Sequence, residues 1–196
     1  MKFSAYLVAR MQQTMAQFEL PLLTHRDALL KNLVFSWHCM KASENLLKQA
    51  KLKSKGKLKA YFAEHLDEER GHEDWLAADL LTAGIDVHKT PIPRLAVEMV
   101  GTQYYLINHV DPAALLGYMA RHECFPASLV QIELLEKVHG KELLRCARYH
   151  ALNDVAHGQE LLNITDELPQ KSQSLILENA IQSATYFGTA QQSFGS

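Results

Sequence analysis

The segment RYHALNDVAHGQELL, residues 148–162, places His150, Asp154 and His157 with three and then two residues between them. On a helix that advances about 100° per residue, these side chains fall within an arc of ~60°. Two imidazoles and a carboxylate therefore point the same way, and together they form a donor set suited to a divalent transition metal. Leu143, Ala147, Leu161 and Ile164 share that face, so the ligand-type residues lie on the stripe expected to meet a core. Polar groups buried there need partners. A single core histidine is commonly explained by a bond to a neighbouring acid; three such residues on one stripe weaken that explanation.

A second segment, AEHLDEERGHEDWL (residues 63–76), holds Glu69 and His72 as an i, i+3 pair, the spacing that helical bundles use to aim carboxylate and imidazole at a shared metal. On a continuous helix they share a face with Leu58, His65, Leu76 and Ala83. Glu68, Glu73 and Asp79 fall near its edges, and Glu64, Asp67 and Asp74 on the solvated flank. Glu123 stands in line with Leu116, Ala127, Val130 and Leu134, and Glu44 in line with Leu30, Leu33, Trp37 and Met40. A lone carboxylate on an apolar stripe needs a stated partner. Arg121, Arg145 and Lys41 could supply some ion pairs, whereas a metal cluster would account for all the inward acids at once.

The candidate ligands are thus Glu44, Glu69, His72, Glu123, His150, Asp154 and His157, with His65 as an eighth that could replace Glu69 or support it from behind. Imidazole with carboxylate and no thiolate suits iron or manganese better than structural zinc, and calcium would take fewer imidazoles. The number of candidates is right for a pair of metal ions, iron or manganese by preference and with zinc not excluded. No residue is assigned a catalytic role, and no organic cofactor is expected.

Positioning these groups requires long helices, and the sequence provides them. Apolar residues recur at intervals of three and four, predicting helices at about 2–18, 26–51, 57–83, 94–109, 112–138, 141–163 and 170–187. Pro21, Gly56 and Gly84 punctuate the early helices, Asp111-Pro112 starts the fifth with a cap and a proline at its first position, and Pro126 is expected to kink it. The resulting fold class is all-α, a bundle of about seven helices in one domain over residues 1–190, with a frayed tail at 191–196. A net charge of −2 gives no pull toward nucleic acid or an anionic membrane. No apolar run approaches the roughly 18 residues of a membrane span. Three widely spaced cysteines without a CxxC fit a reducing, cytoplasmic compartment.

The ExxH pair, the isolated inward Glu123 and above all the His150-x-x-x-Asp154-x-x-His157 helix resemble the heme-oxygenase-like di-iron oxidases and oxygenases, the iron-containing redox enzyme family, over roughly residues 24–183. That resemblance implies a heme oxygenase-like fold, two non-heme irons, and activation of O2 for oxidation of a small amine, amino acid or carboxylic acid. By position, His72 and Glu123 resemble ligands, Glu69 the partner of His72, and Glu44 the family's first carboxylate ligand. The expected partners are a small-molecule substrate and O2, without nucleic acid or membrane, and with a homodimer left open. The thiaminase-like TENA/THI-4 proteins and the pyrroloquinoline-quinone synthase proteins share the fold. A metal-free small-molecule binder or hydrolase of the TENA/THI-4 type, and a noncatalytic helical interaction protein, are the alternatives. Against a thiaminase, Cys124 is followed four residues on by Ser128, where the thiaminase nucleophile segment resembles Cys-x-x-x-Tyr. Cys124 is better read as a packing residue beside Glu123. Tyr104, Tyr105 and Tyr118 are expected to fill a helix interface rather than line a pocket.

Overall fold

The helical periodicity is realised throughout the computed structural model, which describes residues 1–195. The α-helices are α1 (Phe3–Met15), α2 (Arg26–Lys53), α3 (Gly56–Glu68), α4 (His72–Thr82), α5 (Arg94–His109), α6 (Leu115–Glu123), α7 (Leu129–His139), α8 (Arg145–Glu167) and α9 (Gln170–Ser193), with no strand among the described residues. Among the described residues no helix is long and apolar enough to cross a membrane.

Two long helices expected from the sequence are each broken in two. The stretch 57–83 divides at Gly71, whose φ of 81° is left-handed and open to glycine at little cost. The stretch 112–138 is interrupted by Cys124–Ser128, where Pro126 ends the helix rather than kinking it. α7 then restarts on a capping box: Ser128 Oγ accepts from Gln131 N at 3.2 Å, and Gln131 Oε1 accepts from Ser128 N at 2.9 Å. The C-terminus also differs from expectation. α9 continues to Ser193, Gln191 Nε2 donates to Asn32 Oδ1 at 3.0 Å, and the Phe194 ring packs 5.9 Å from Phe35, so the chain is held through Phe194. The last residue of the expected tail, Ser196, lies outside the described residues.

α6 is the axis of the bundle. Leu115 to Arg121 and Glu123 are all buried, because α9 and α8 pack against α6, α5 adds a lesser contact, and Tyr118 reaches the Cys39 carbonyl of α2. A helix enclosed on all sides should be apolar all round; α6 carries Arg121 and Glu123 inside. Glycine permits the close approach on two sides. A Cβ on Gly117 would collide with the Ile176 carbonyl oxygen and lie 2.8 Å from Ala180 N of α9, and one on Gly158 of α8 would lie 2.7 Å from the Glu123 carbonyl oxygen. At the start of α6, Asn179 Nδ2 donates to both the Ala114 carbonyl and Gln103 Oε1 at 2.7 Å, tying α9 and α5 to the same point.

Gly117→Ala is therefore expected to destabilise the protein by about 1–3 kcal/mol through overpacking. Gly101→Ala, in an exposed turn of α5 with nothing within 4 Å of the added carbon, should stabilise it by about 0.5–1 kcal/mol. Urea unfolding of the two variants checks this; equal shifts would show that the α6–α9 contact is looser than described.

Candidate metal centre

The ends of α3 and α6, the start of α4 and the middle of α8 meet at one place. Four overlapping trios there have donor atoms within 4.8 Å of one another: Glu69, His72 and His150; Glu123, Asp154 and His157; His65, Glu69 and Glu123; and His65, Glu68 and His157. The break at Gly71 sorts them. His65 and Glu68, in the last turn of α3, face His157, while His72, in the first turn of α4, faces His150, with its ring centroid 5.1 Å away. His150 and His157 are about 10 Å apart along the α8 axis at 1.5 Å per residue. Asp154 stands between them.

Second contacts fix these helices in register. Asp79 of α4 is buried and accepts from Cys146 N at 2.8 Å and Arg145 Nε at 2.9 Å. A carboxylate there satisfies an orphan amide and complements the positive end of α8. This holds His72 and His150 across from one another. Arg148 grips Glu136 through two bonds of 2.6 Å, tying α7 to α8.

The hydrogen bonding is incomplete in the way a ligand set would be. His150 Nδ1 lies 3.0 Å from Asp154 Oδ1, and His65 Nε2 lies 3.2 Å from Glu123 Oε1. Yet His72 Nδ1, His150 Nε2, His157 Nδ1 and Glu123 Oε2 are buried with no hydrogen-bond partner. Three of the four have only long ion-pair contacts: His72 Nδ1 to Glu69 at 3.5 Å, and His157 Nδ1 to Glu123 Oε2 at 3.6 Å. Buried polar atoms are rarely left unpaired in native proteins. Imidazole nitrogens and carboxylate oxygens left open toward one another fit a metal ion of the kind bound by nitrogen and oxygen.

Charge compensation gives the same picture. Burial pushes Glu123 toward its neutral form, but the imidazoles of His157 and His65 override it and hold the carboxyl at about 2. Glu123 in turn raises His157 to about 9. His150 is driven down by burial and more strongly up by Asp154 and the Cys146 thiol, to about 11, while burial raises Asp154 despite His150. Without metal, protons on imidazole neutralise the buried carboxylates; a divalent cation would replace those protons.

The cluster opens on a cavity of about 840 Å³, bounded by α2, α6, α8, α9 and the Leu20–Thr24 segment. His65, Glu69, Glu123, His150 and Asp154 form part of its wall, and Leu33, Met40, Leu115, Met119 and Phe187 much of the rest. The volume is within the range of roughly 300–1,000 Å³ usual for small-molecule sites. Burial raises the thiol of Cys39, which lines the cavity, and that of Cys124, which lies outside its lining, the latter to about 12. A reactive thiol would require the opposite shift.

Six of the seven sequence candidates converge here, together with His65 and the half-exposed Glu68. Glu44 does not join them; it faces Lys48, one turn along α2, and belongs to none of the trios. Asp79 is a buried brace rather than an edge residue. The stripe assigned to Glu123 is also not continuous, since Val130 and Leu134 are 76% and 52% exposed on the separate helix α7. Tyr118 lines the cavity, with its hydroxyl 3.4 Å from the Cys39 carbonyl, while Tyr104 packs against the core and Tyr105 is exposed. No sequence pattern singles out His122, which lines the cavity with its Nε2 unpartnered and is lowered to about 4 by burial and by Arg121.

The sequence matches no protein-family model and none of the curated proteins. Solved structures do match. A TenA homologue from Pseudomonas syringae pv. tomato superposes with a TM-score of 0.77 at 12% identity, covering 98% of this chain and 92% of that one. A domain of unknown function with a heme oxygenase-like fold from Shewanella denitrificans gives 0.73 at 15% identity over 97% and 86% of the two chains. The chain has a heme oxygenase-like fold. A TenA homologue from Pyrococcus furiosus gives 0.74 at 11% identity over 99% and 100%. At these identities the likeness establishes the architecture alone and does not reach the di-iron oxidases.

If the trios bind metal, Asp154→Ala should lose at least one of two iron equivalents, and Glu44→Ala should retain both. Iron per chain after anaerobic loading and gel filtration decides this. Equal losses would remove the distinction the geometry draws.

Proposed function

We propose that this protein is a non-heme di-iron oxidoreductase that uses O2 to oxidise a small organic molecule held in the cavity beside the cluster. The observation carrying this reading is the cluster of buried, unpartnered imidazole and carboxylate atoms on His72, His150, His157 and Glu123, of which Glu123 and His150 reach the cavity wall. Glu69, His72 and His150 would hold one ion, and Glu123, Asp154 and His157 the other, with His65 and Glu68 beside the second. Bound iron would supply the redox chemistry with O2 that amino-acid side chains cannot. The chain's own tasks are distinct. Asp154 orients His150 through Nδ1, leaving Nε2 as the donor, a second contact of the kind that fixes metal-binding histidines. His65 does the same for one oxygen of Glu123. The aliphatic and aromatic cavity wall holds substrate and limits water near the reacting centre.

A second reading is a metal-free protein binding a small heterocycle, supported by the superposition on TenA homologues. The raised thiols of Cys39 and Cys124 count against a hydrolytic version that would use a cysteine nucleophile.

Ferrous iron should bind at up to two equivalents and raise the melting temperature of the parent, with no rise in a His150→Ala, His157→Ala double variant. Stopped-flow mixing of the reduced, loaded protein with oxygenated buffer should then show oxidation accelerated by one class among small amines, amino acids and carboxylic acids. No stabilisation by iron, together with identical behaviour of the double variant, would favour the metal-free reading.

A further inference from the structure

Arg121 is a feature of the cavity that the cluster does not explain. Its residue surface is only 8% exposed, on the enclosed helix α6, and it lines the cavity. Its guanidinium carbon lies 3.7 Å from the centroid of the Phe187 ring, and its Nε has no hydrogen-bond partner. Among the described residues no carboxylate pairs with it, although Arg145 and Arg148, both more exposed, hold Asp79 and Glu136. The carboxylates of the cluster are engaged with imidazoles instead. Cys39 beside it is held as a neutral thiol by burial and cannot serve as counter-ion.

An arginine stays protonated under all ordinary conditions, and a buried cation without an anion is costly. The Phe187 face offsets part of that cost through a cation–π contact. It does not satisfy the N–H donors, which need an acceptor. An unpaired guanidinium beside Leu115, Met119 and Phe187 is complete only when something else enters the cavity with a negative charge.

We infer that Arg121 is the anchor of an anion-binding subsite and that the cavity takes a monocarboxylate with an apolar body, its carboxylate on Arg121 and its chain along the apolar wall. A planar carboxylate matches the guanidinium fork and supplies one negative charge to one positive charge; a phosphate dianion would overcompensate it. His122, next to Arg121 in sequence and with Nε2 unpartnered, offers a second polar contact. With the carboxylate at Arg121, the cluster would face another part of the substrate. The inference rests on the proposed role of this cavity as the substrate site, but not on a bound metal.

The experiment is calorimetric titration of octanoate, octanol and octylamine into EDTA-treated, metal-free protein at pH 8, and into Arg121→Met and Arg121→Lys. Octanoate should bind the parent at least tenfold more tightly than either analogue. Arg121→Met should abolish that preference while changing octanol affinity less than about threefold, a contrast that separates loss of the charge from loss of the cavity. Arg121→Lys should retain part of the preference, and keeps the inference testable if the methionine variant does not fold. Equal binding of octanoate and octanol by the parent, or a preference that survives Arg121→Met, would overturn it. So would octanoate binding that needs added iron and ignores Arg121, since the carboxylate would then be on the metal. Failure of iron to bind, with the octanoate preference intact, would instead refute the di-iron reading alone.

Discussion

Glu69, Glu123 and Asp154 place three carboxylates inside a helical bundle, and the surrounding structure is constrained by the need to neutralise them. An isolated buried carboxylate costs several kcal/mol even after relaxation. Here the compensation comes from imidazoles on α3, α4 and α8, at contacts of 3.0–3.6 Å. Imidazole is the side chain that can meet this demand in two ways: as a protonated partner when metal is absent, and as a neutral ligand when a cation takes over the charge. A set of lysines or arginines could do only the first. The unpartnered nitrogens of His72, His150 and His157 are what distinguish this interior from an ordinary buried ion-pair network.

The backbone features follow from bringing four helix segments to one point. Gly71 ends α3 and redirects the chain, so that two successive turns of sequence serve two different parts of the cluster. Gly158 lets α8 approach the C-terminal end of α6 closely enough for His157 to reach Glu123. Asp79 fixes α4 against the first turn of α8, and the Asn179 amide fixes the start of α6. None of these groups is a candidate ligand, yet each sets the position of one. The same enclosure that makes Glu123 dependent on imidazole leaves Arg121, two residues earlier on α6, without a carboxylate partner among the described residues.

Much of this was legible in the sequence because helical periodicity survives in one dimension. The α8 face was read directly, since no break interrupts residues 145–167. The Glu69–His72 pair survived a wrong assumption of continuity, because the break at Gly71 lies between residues that remain neighbours. Glu123 was placed inward on a stripe that proved false beyond the end of α6; its true enclosure comes from packing by α8 and α9, which no single-helix pattern contains. Glu44 shows the opposite failure. Its stripe is real as far as Trp37, but Lys48 four residues on offered a local ion pair, a signal present in the sequence and outweighed by the expectation of a ligand. By sequence Arg121 could supply an ion pair to an inward acid; in the tertiary structure no carboxylate among the described residues pairs with it.

The central claim is that the convergent imidazoles and carboxylates are a binuclear metal site. Its most direct test is anomalous diffraction above the iron edge from crystals grown anaerobically with ferrous iron. The account predicts two peaks in the interior, one contacted by Glu69, His72 and His150 and the other by Glu123, Asp154 and His157. An interior without anomalous density, with iron only at exposed histidines, would contradict it.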